Sequence, residues 1–159
     1  MRGPVYLRMN GGIPECTYEG RELFEVGSAV VHGRGADVNF IVAGPLLSEV
    51  LKARDILSEE GISAGVVDMF CIKPVDENVI MDMAKESKVI VTVEEHSVVN
   101  GLGSVVANIL AAQGYGCRLV KLGLPDEYPH TVSPYEEMLK EYRLTAEDFA
   151  AAAKKALGV

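Results

Sequence analysis

The stretch Val89–Gly103, VIVTVEEHSVVNGLG, constrains the fold more than any other part of the chain. An apolar run of the buried-strand type leads straight into Glu94, Glu95 and His96, and a glycine turn then opens a helix. Open α/β sheets place their ligands at the carboxyl ends of such strands. The rest of the chain has the matching layout. From about Gly27, short β-rich runs alternate with helical patterns, as in a sheet covered by helices on both faces. Strands are expected at Glu25–Val31, Val38–Ala43, Ser63–Phe70, Lys88–Glu94 and Arg118–Leu122. Between them, apolar residues recur at helical spacing at Leu46, Leu47, Val50, Leu51, Ile56 and Leu57, at Val79, Ile80, Met83 and Ala84, and from Leu102 to Leu110.

Composition narrows the class. A chain of 159 residues suits one domain and buries most of the surface that its unfolded form exposes. No apolar run approaches the roughly 20 residues of a membrane helix, and MRGPVYLRMN lacks the basic region, apolar stretch and cleavage site of a secretory signal. The expectation is a cytoplasmic protein with no membrane partner. A net charge of −8 and a pI near 4.9, with no block of Lys and Arg, argue against nucleic acid. Cys16, Cys71 and Cys117 lack both disulfide-framework and zinc spacing, and read as reduced buried thiols.

The two ends of the chain read differently. Ser133-Pro134-Tyr135-Glu136 places a capping hydroxyl, a first-turn proline and a reciprocal carboxylate at a helix start. Thr145-Ala146-Glu147-Asp148 repeats that scheme before an alanine-rich final helix. At the other end, Gly11, Gly12, Pro14 and Gly20 make Asn10–Gly20 a linker, so Met1–Met9 precedes the domain core. Val5-Tyr6-Leu7 looks like the last strand of something else, ending in Arg8, which points to a truncated or split protein.

GPVYLRMNGGIP at residues 3–14, GADVNFIVAG at 35–44, EEGISAGVVDMFCIKPVD at 59–76, VTVEEHSVVNGLGS at 91–104 and the closing LGLPDEY and YRLTAEDF resemble the C-terminal part of transketolase. The resemblance covers almost the whole chain. Related domains occur in 1-deoxyxylulose-5-phosphate synthase and in the beta subunits of 2-oxo acid dehydrogenases. It implies an α/β fold: a three-layer α/β/α sandwich around a five-stranded mixed sheet of order 1-3-2-4-5, strand 1 antiparallel. Residues 1–20 would then be a leader from the end of the preceding pyrimidine-binding domain, and residues 21–159 the C-terminal domain.

Transketolases move a two-carbon ketol unit between sugar phosphates with thiamine diphosphate and a divalent metal, usually magnesium. The resemblance places those cofactors on N-terminal domains or a subunit carrying them. This chain has no GDG motif, so no cofactor is expected to bind to it alone. A homo-oligomer is implied too, since the family's C-terminal domain contributes to dimer contacts. Arg8 falls at the position of the family's arginine that binds the sugar phosphate, where a guanidinium forms paired, charge-assisted hydrogen bonds.

The implied strand order sets Ala43-Gly44-Pro45 and Glu94–Gly103 around a switch-point crevice. Candidate residues there are Gly44, Glu95, His96, Asn100, Gly101, Gly103 and Ser104. His96, after two carboxylates, has the composition of a proton shuttle or of a simple loop contact. Glu94 and Glu95 read as solvated or helix-capping carboxylates. Asn100–Ser104 offers free N–H groups to an anion or forms a structural tight turn. Asp76 is expected to cap the next helix. His32 and His130 lack ligand-spaced companions, so no metal site is expected. Two further readings stand beside the enzyme fragment: an autonomous interaction module without chemistry, and a small-anion or regulatory-ligand domain using the crevice.

Overall fold

The computed structural model describes residues 3–7, 18, 20, 24–129 and 131–159. Five strands, β1 (Val30–Gly33), β2 (Val38–Ala43), β3 (Ala64–Asp68), β4 (Val89–Ser97) and β5 (Arg118–Leu124), form one sheet of order β1-β3-β2-β4-β5. β1 runs antiparallel to β3 and every other neighbouring pair is parallel. The expected order and the antiparallel first strand are therefore present.

Two layers of helices follow from the pleat. α1 (Leu47–Glu59) and α5 (Ala146–Leu157) pack with Phe40, Val42, Val66, Val91 and Val93 on one face. α2 (Glu77–Glu86) and α3 (Leu102–Ala112) pack with Ile41, Val67, Met69 and Ile90 on the other. Successive strand residues point to opposite faces, so a continuous apolar run feeds both cores at once. α4 (Tyr135–Glu141) is the exception, since it buries none of its residues.

Local chemistry fixes several junctions. Asp76 caps α2 by accepting from the Val79 N–H, and Thr145 with Asp148 forms a complete capping box at α5. Buried Asn39 accepts from the Gly35 N–H at 2.8 Å and donates to the carbonyls of Gly35 and Met83. That amide ties the β1–β2 turn to the end of α2, with its polar atoms satisfied. Gly65 sits against it on β3, where a Cβ would collide with the Asn39 side chain and the Gly35 backbone.

Several boundaries differ from expectation, β3 among them, which runs Ala64–Asp68 inside the expected Ser63–Phe70. The first strand starts at Val30 rather than Glu25, because Glu25–Ser28 close a turn through Ser28 N–H to Glu25 C=O and Gly27 takes φ +91°. β4 continues to Ser97, past the expected Glu94, because Ser97 pairs with Leu124 beyond an irregularity, and β5 lengthens to match. α4 has Pro134, not Ser133, as its N-cap, with ψ 152° and no side-chain cap. Val5, Tyr6 and Leu7 are exposed and belong to no regular element.

Phe149, fully buried on α5, is the largest side chain that α5 sets against the sheet. Phe149→Ala is expected to lower unfolding free energy by about 3–5 kcal/mol in urea titrations. Gly65→Ala should also destabilise the fold, and Asn39→Ala should relieve part of that loss if the steric clash is its cause.

Candidate functional site

β4 positions the site. Its residues from Val89 to Glu94 are buried, whereas Glu95 and His96 are exposed. The pleat sends Ile90, Thr92 and Glu94 toward α3 and Val91, Val93 and Glu95 toward the other layer. Adjacent carboxylates thus serve opposite faces of the sheet.

Glu94, only 3 % exposed, reaches across the β4–α3 loop to the start of α3. Its Oε2 accepts from the Leu102 N–H at 2.7 Å and its Oε1 from the Gly103 N–H at 2.9 Å. α3 has Gly101 at its N-cap and no cap from its own sequence, so the strand supplies the acceptor. A carboxylate there also meets the positive end of the helix dipole. The glycines follow from the close approach: a Cβ at Gly101 would collide with the Glu94 carboxylate, and one at Gly103 would lie 2.7 Å from Thr92 Oγ1 and from the Lys121 stem.

A crevice of about 540 Å³ opens over this junction at the carboxyl edge of the sheet. Of the candidate residues, Gly44, Glu95, His96, Asn100 and Gly101 line it, together with Met69, Phe70 and Glu94. Gly103 and Ser104 lie outside the lining. Gly103 is buried beneath Lys121, and the Ser104 Oγ accepts from the Asn100 N–H at 3.1 Å, holding Asn100 at φ +60°. His96 Nδ1 lies 3.0 Å from the carbonyl of Ser97, and among the described residues its ring meets no carboxylate. Glu95 instead accepts from the Tyr135 hydroxyl at 3.0 Å. Burial, with the negative charge of Glu95 adding to it, pushes that hydroxyl well above the usual tyrosine range.

The donor set does not fit a diphosphate with its metal. The two N–H groups best placed for an anion already hold Glu94, and the carboxylates lining the crevice repel another. Among the described residues no three His, Cys, Asp or Glu side chains gather into a metal site. Arg8, Cys16 and His130 lie outside the described residues. Sequence reasoning left Glu94 and Glu95 alike as solvated or helix-capping carboxylates, and it missed the Tyr135–Glu95 contact. Its signal was the even spacing of Tyr128, Tyr135 and Tyr142 after β5.

The family model for the transketolase C-terminal domain matches residues 27–149. The chain belongs to that family. Among its relatives, a transketolase C-terminal section of Methanocaldococcus jannaschii is 39% identical, over 94% of this chain and 46% of its own length. The 1-deoxy-D-xylulose-5-phosphate synthase of Stutzerimonas stutzeri is 40% identical, over 98% of this chain and 24% of its own. The solved structure of a split gene transketolase, an inactive beta4 tetramer, superposes with a TM-score of 0.84 at 39% identity. It shares 92% of this chain and 47% of that one. A Pichia stipitis transketolase at 19% identity, TM-score 0.61, shares the fold over 82% of this chain and 18% of its own. This transketolase C-terminal domain thus spans about half, or a quarter, of the length of the curated relatives it matches.

In this domain the Glu94 cap makes a testable difference. Glu94→Ala strands two helix N–H groups and is expected to cost about 2–4 kcal/mol of stability. At constant ionic strength, millimolar phosphate should then raise the Tm of the variant but leave the parent unchanged. Equal stabilisation of both proteins by phosphate would show that the crevice binds anions with Glu94 in place.

Proposed function

We propose that the chain is the C-terminal part of a transketolase-type enzyme that transfers a two-carbon ketol unit between sugar phosphates. Thiamine diphosphate and magnesium belong to the N-terminal domains, carried on a partner subunit or on the same polypeptide. When bound there, the cofactor supplies the carbanion chemistry of the reaction. The observation that carries this reading is the 39% identity to a transketolase C-terminal section over 94% of the chain. The Glu94-filled helix start supports it, because it leaves the crevice of this domain unsuited to a second diphosphate.

On this reading the domain contributes folding, subunit contacts and domain orientation, and the isolated chain is inactive. A cytoplasmic homo-oligomer, a dimer or higher, working in the pentose phosphate pathway, belongs to the same proposal. Among the described residues no helix is long and apolar enough to cross a membrane. Arg8 is assigned to the sugar phosphate in the complete enzyme, because a guanidinium fork matches phosphate oxygens.

A second reading, the C-terminal domain of a 1-deoxyxylulose-5-phosphate synthase, is favoured by the 40% identity to that enzyme of Stutzerimonas stutzeri. Assays with thiamine diphosphate and magnesium separate the two, run on this chain alone and with the candidate N-terminal partner. Ketol transfer from a pentose phosphate in the mixture only is the expected result. Formation of 1-deoxyxylulose 5-phosphate would favour the second reading, and silence in a folded, associated mixture would overturn both. In the active mixture, Arg8→Ala should raise KM for the sugar phosphate about tenfold or more, the worth of a charge-assisted hydrogen bond.

A further inference from the structure

Glu95 belongs to two depressions. Besides the crevice it lines a second groove of about 540 Å³. The groove's floor is Ser97 and Leu124, at the carboxyl ends of β4 and β5. The loop from Pro125 to Pro129 forms one wall, and α4 with the turn after it forms the other. Three tyrosines, Tyr128, Tyr135 and Tyr142, line it with Met138, Leu139 and Leu144. Among the described residues, the charged ones in its lining are Glu95, Asp126 and Glu127, with no cation.

The carboxylates of this face have no cationic partner among the described residues, although Glu95 accepts from the Tyr135 hydroxyl. Among the described residues no Lys, Arg or His forms an ion pair with Glu95, Asp126 or Glu127. Tyr128 is 92% exposed, Val132 on the loop before α4 is fully exposed, and no residue of α4 is fully buried, though Leu139 packs partly against the core. The Tyr142 hydroxyl is pushed up chiefly by burial, with the charges of Glu141 and Glu127 adding to it. Aromatic faces beside unpaired carboxylates are the environment a guanidinium or ammonium enters with least loss, arginine being weakly hydrated and able to stack.

We propose that this groove docks an extended basic segment of the polypeptide carrying the N-terminal domains. An arginine or lysine of that segment would sit among the tyrosine rings with Glu95, Asp126 and Glu127 around it. Its apolar neighbours would rest on Met138, Leu139 and Leu144. The assignment rests on the reading of this chain as one part of a larger enzyme. A second copy of the chain suits this face less well, because it brings eight further net negative charges to an already acidic surface.

Two measurements test it. In the first, a capped heptapeptide with two arginines among leucines and proline is titrated into this chain by NMR, against the same peptide with glutamates in place of the arginines. The arginine peptide should bind at least about tenfold more tightly, shift the signals of Tyr128, Tyr135 and Tyr142, and weaken as salt screens the carboxylates. The exposed-residue variants Glu127→Gln and Tyr128→Ala should each reduce that binding several-fold with the fold retained. Equal binding of both peptides, or binding indifferent to both variants, would overturn the groove. In the second, a photo-crosslinking amino acid replaces Tyr128 in the mixture that shows ketol transfer. A crosslink to an arginine- or lysine-bearing segment of the N-terminal partner supports the assignment. A crosslink to another copy of this chain, or none in an active complex, overturns it while leaving the functional reading intact. Absence of any complex would overturn the functional reading, and with it the partner named here, whatever the peptides show.

Discussion

The contact between Glu94 and the first turn of α3 organises the end of the sheet where α/β folds bind their ligands. A helix start carries N–H groups without intrahelical partners and a positive end of dipole, and it attracts whatever anion is nearest. Here the nearest anion is covalently part of the domain. The two hydrogen bonds from Leu102 and Gly103 fix the β4–α3 loop and bring the Glu94 carboxylate so near residue 101 that only glycine fits there, while Thr92 and the Lys121 stem close in on Gly103. They also convert a site of the phosphate-binding type into a structural joint. An anion entering the crevice must displace a buried carboxylate before it gains the same two donors.

The pleat then divides the labour of three consecutive residues. Glu94 turns inward to α3, Glu95 turns to the opposite layer and meets Tyr135, and His96 stays in solvent against the Ser97 carbonyl. Adjacent in sequence, they do not assemble into a catalytic cluster. On the proposed reading a domain built this way serves as a rigid shoulder, with the chemistry supplied by N-terminal domains. That fits a chain spanning about half the length of one curated relative and a quarter of another.

Much of the sheet was legible because parallel strands buried on both faces are written as near-continuous apolar runs, as Val38–Ala43 and Val89–Val93 are but for Asn39 and Thr92. Capping chemistry was equally readable at Asp76 and Thr145, where the acceptor is local to its helix. The strand order came from family resemblance, since no periodicity encodes which strand lies beside which. The first strand starts later than expected because Gly27, at φ +91°, and the Ser28 N–H to Glu25 C=O bond turn the chain within the segment read as extended. Ser133 failed as a cap because Pro134 itself holds the extended dihedral of the N-cap. The tyrosine-lined groove was invisible because its walls come from β4, the loop after β5 and α4, which only the folded chain brings together.

The claim at the centre is that the anion at the start of α3 is Glu94 and that it stays there. Residue-resolved amide hydrogen exchange at Leu102 and Gly103 tests this most directly. Both amides should be protected to the level of the interior amides of α3, and Glu94→Gln should speed exchange at these two sites well before the rest of the helix. Exchange at the rate of exposed loop amides in the parent protein, or protection untouched by Glu94→Gln, would contradict it.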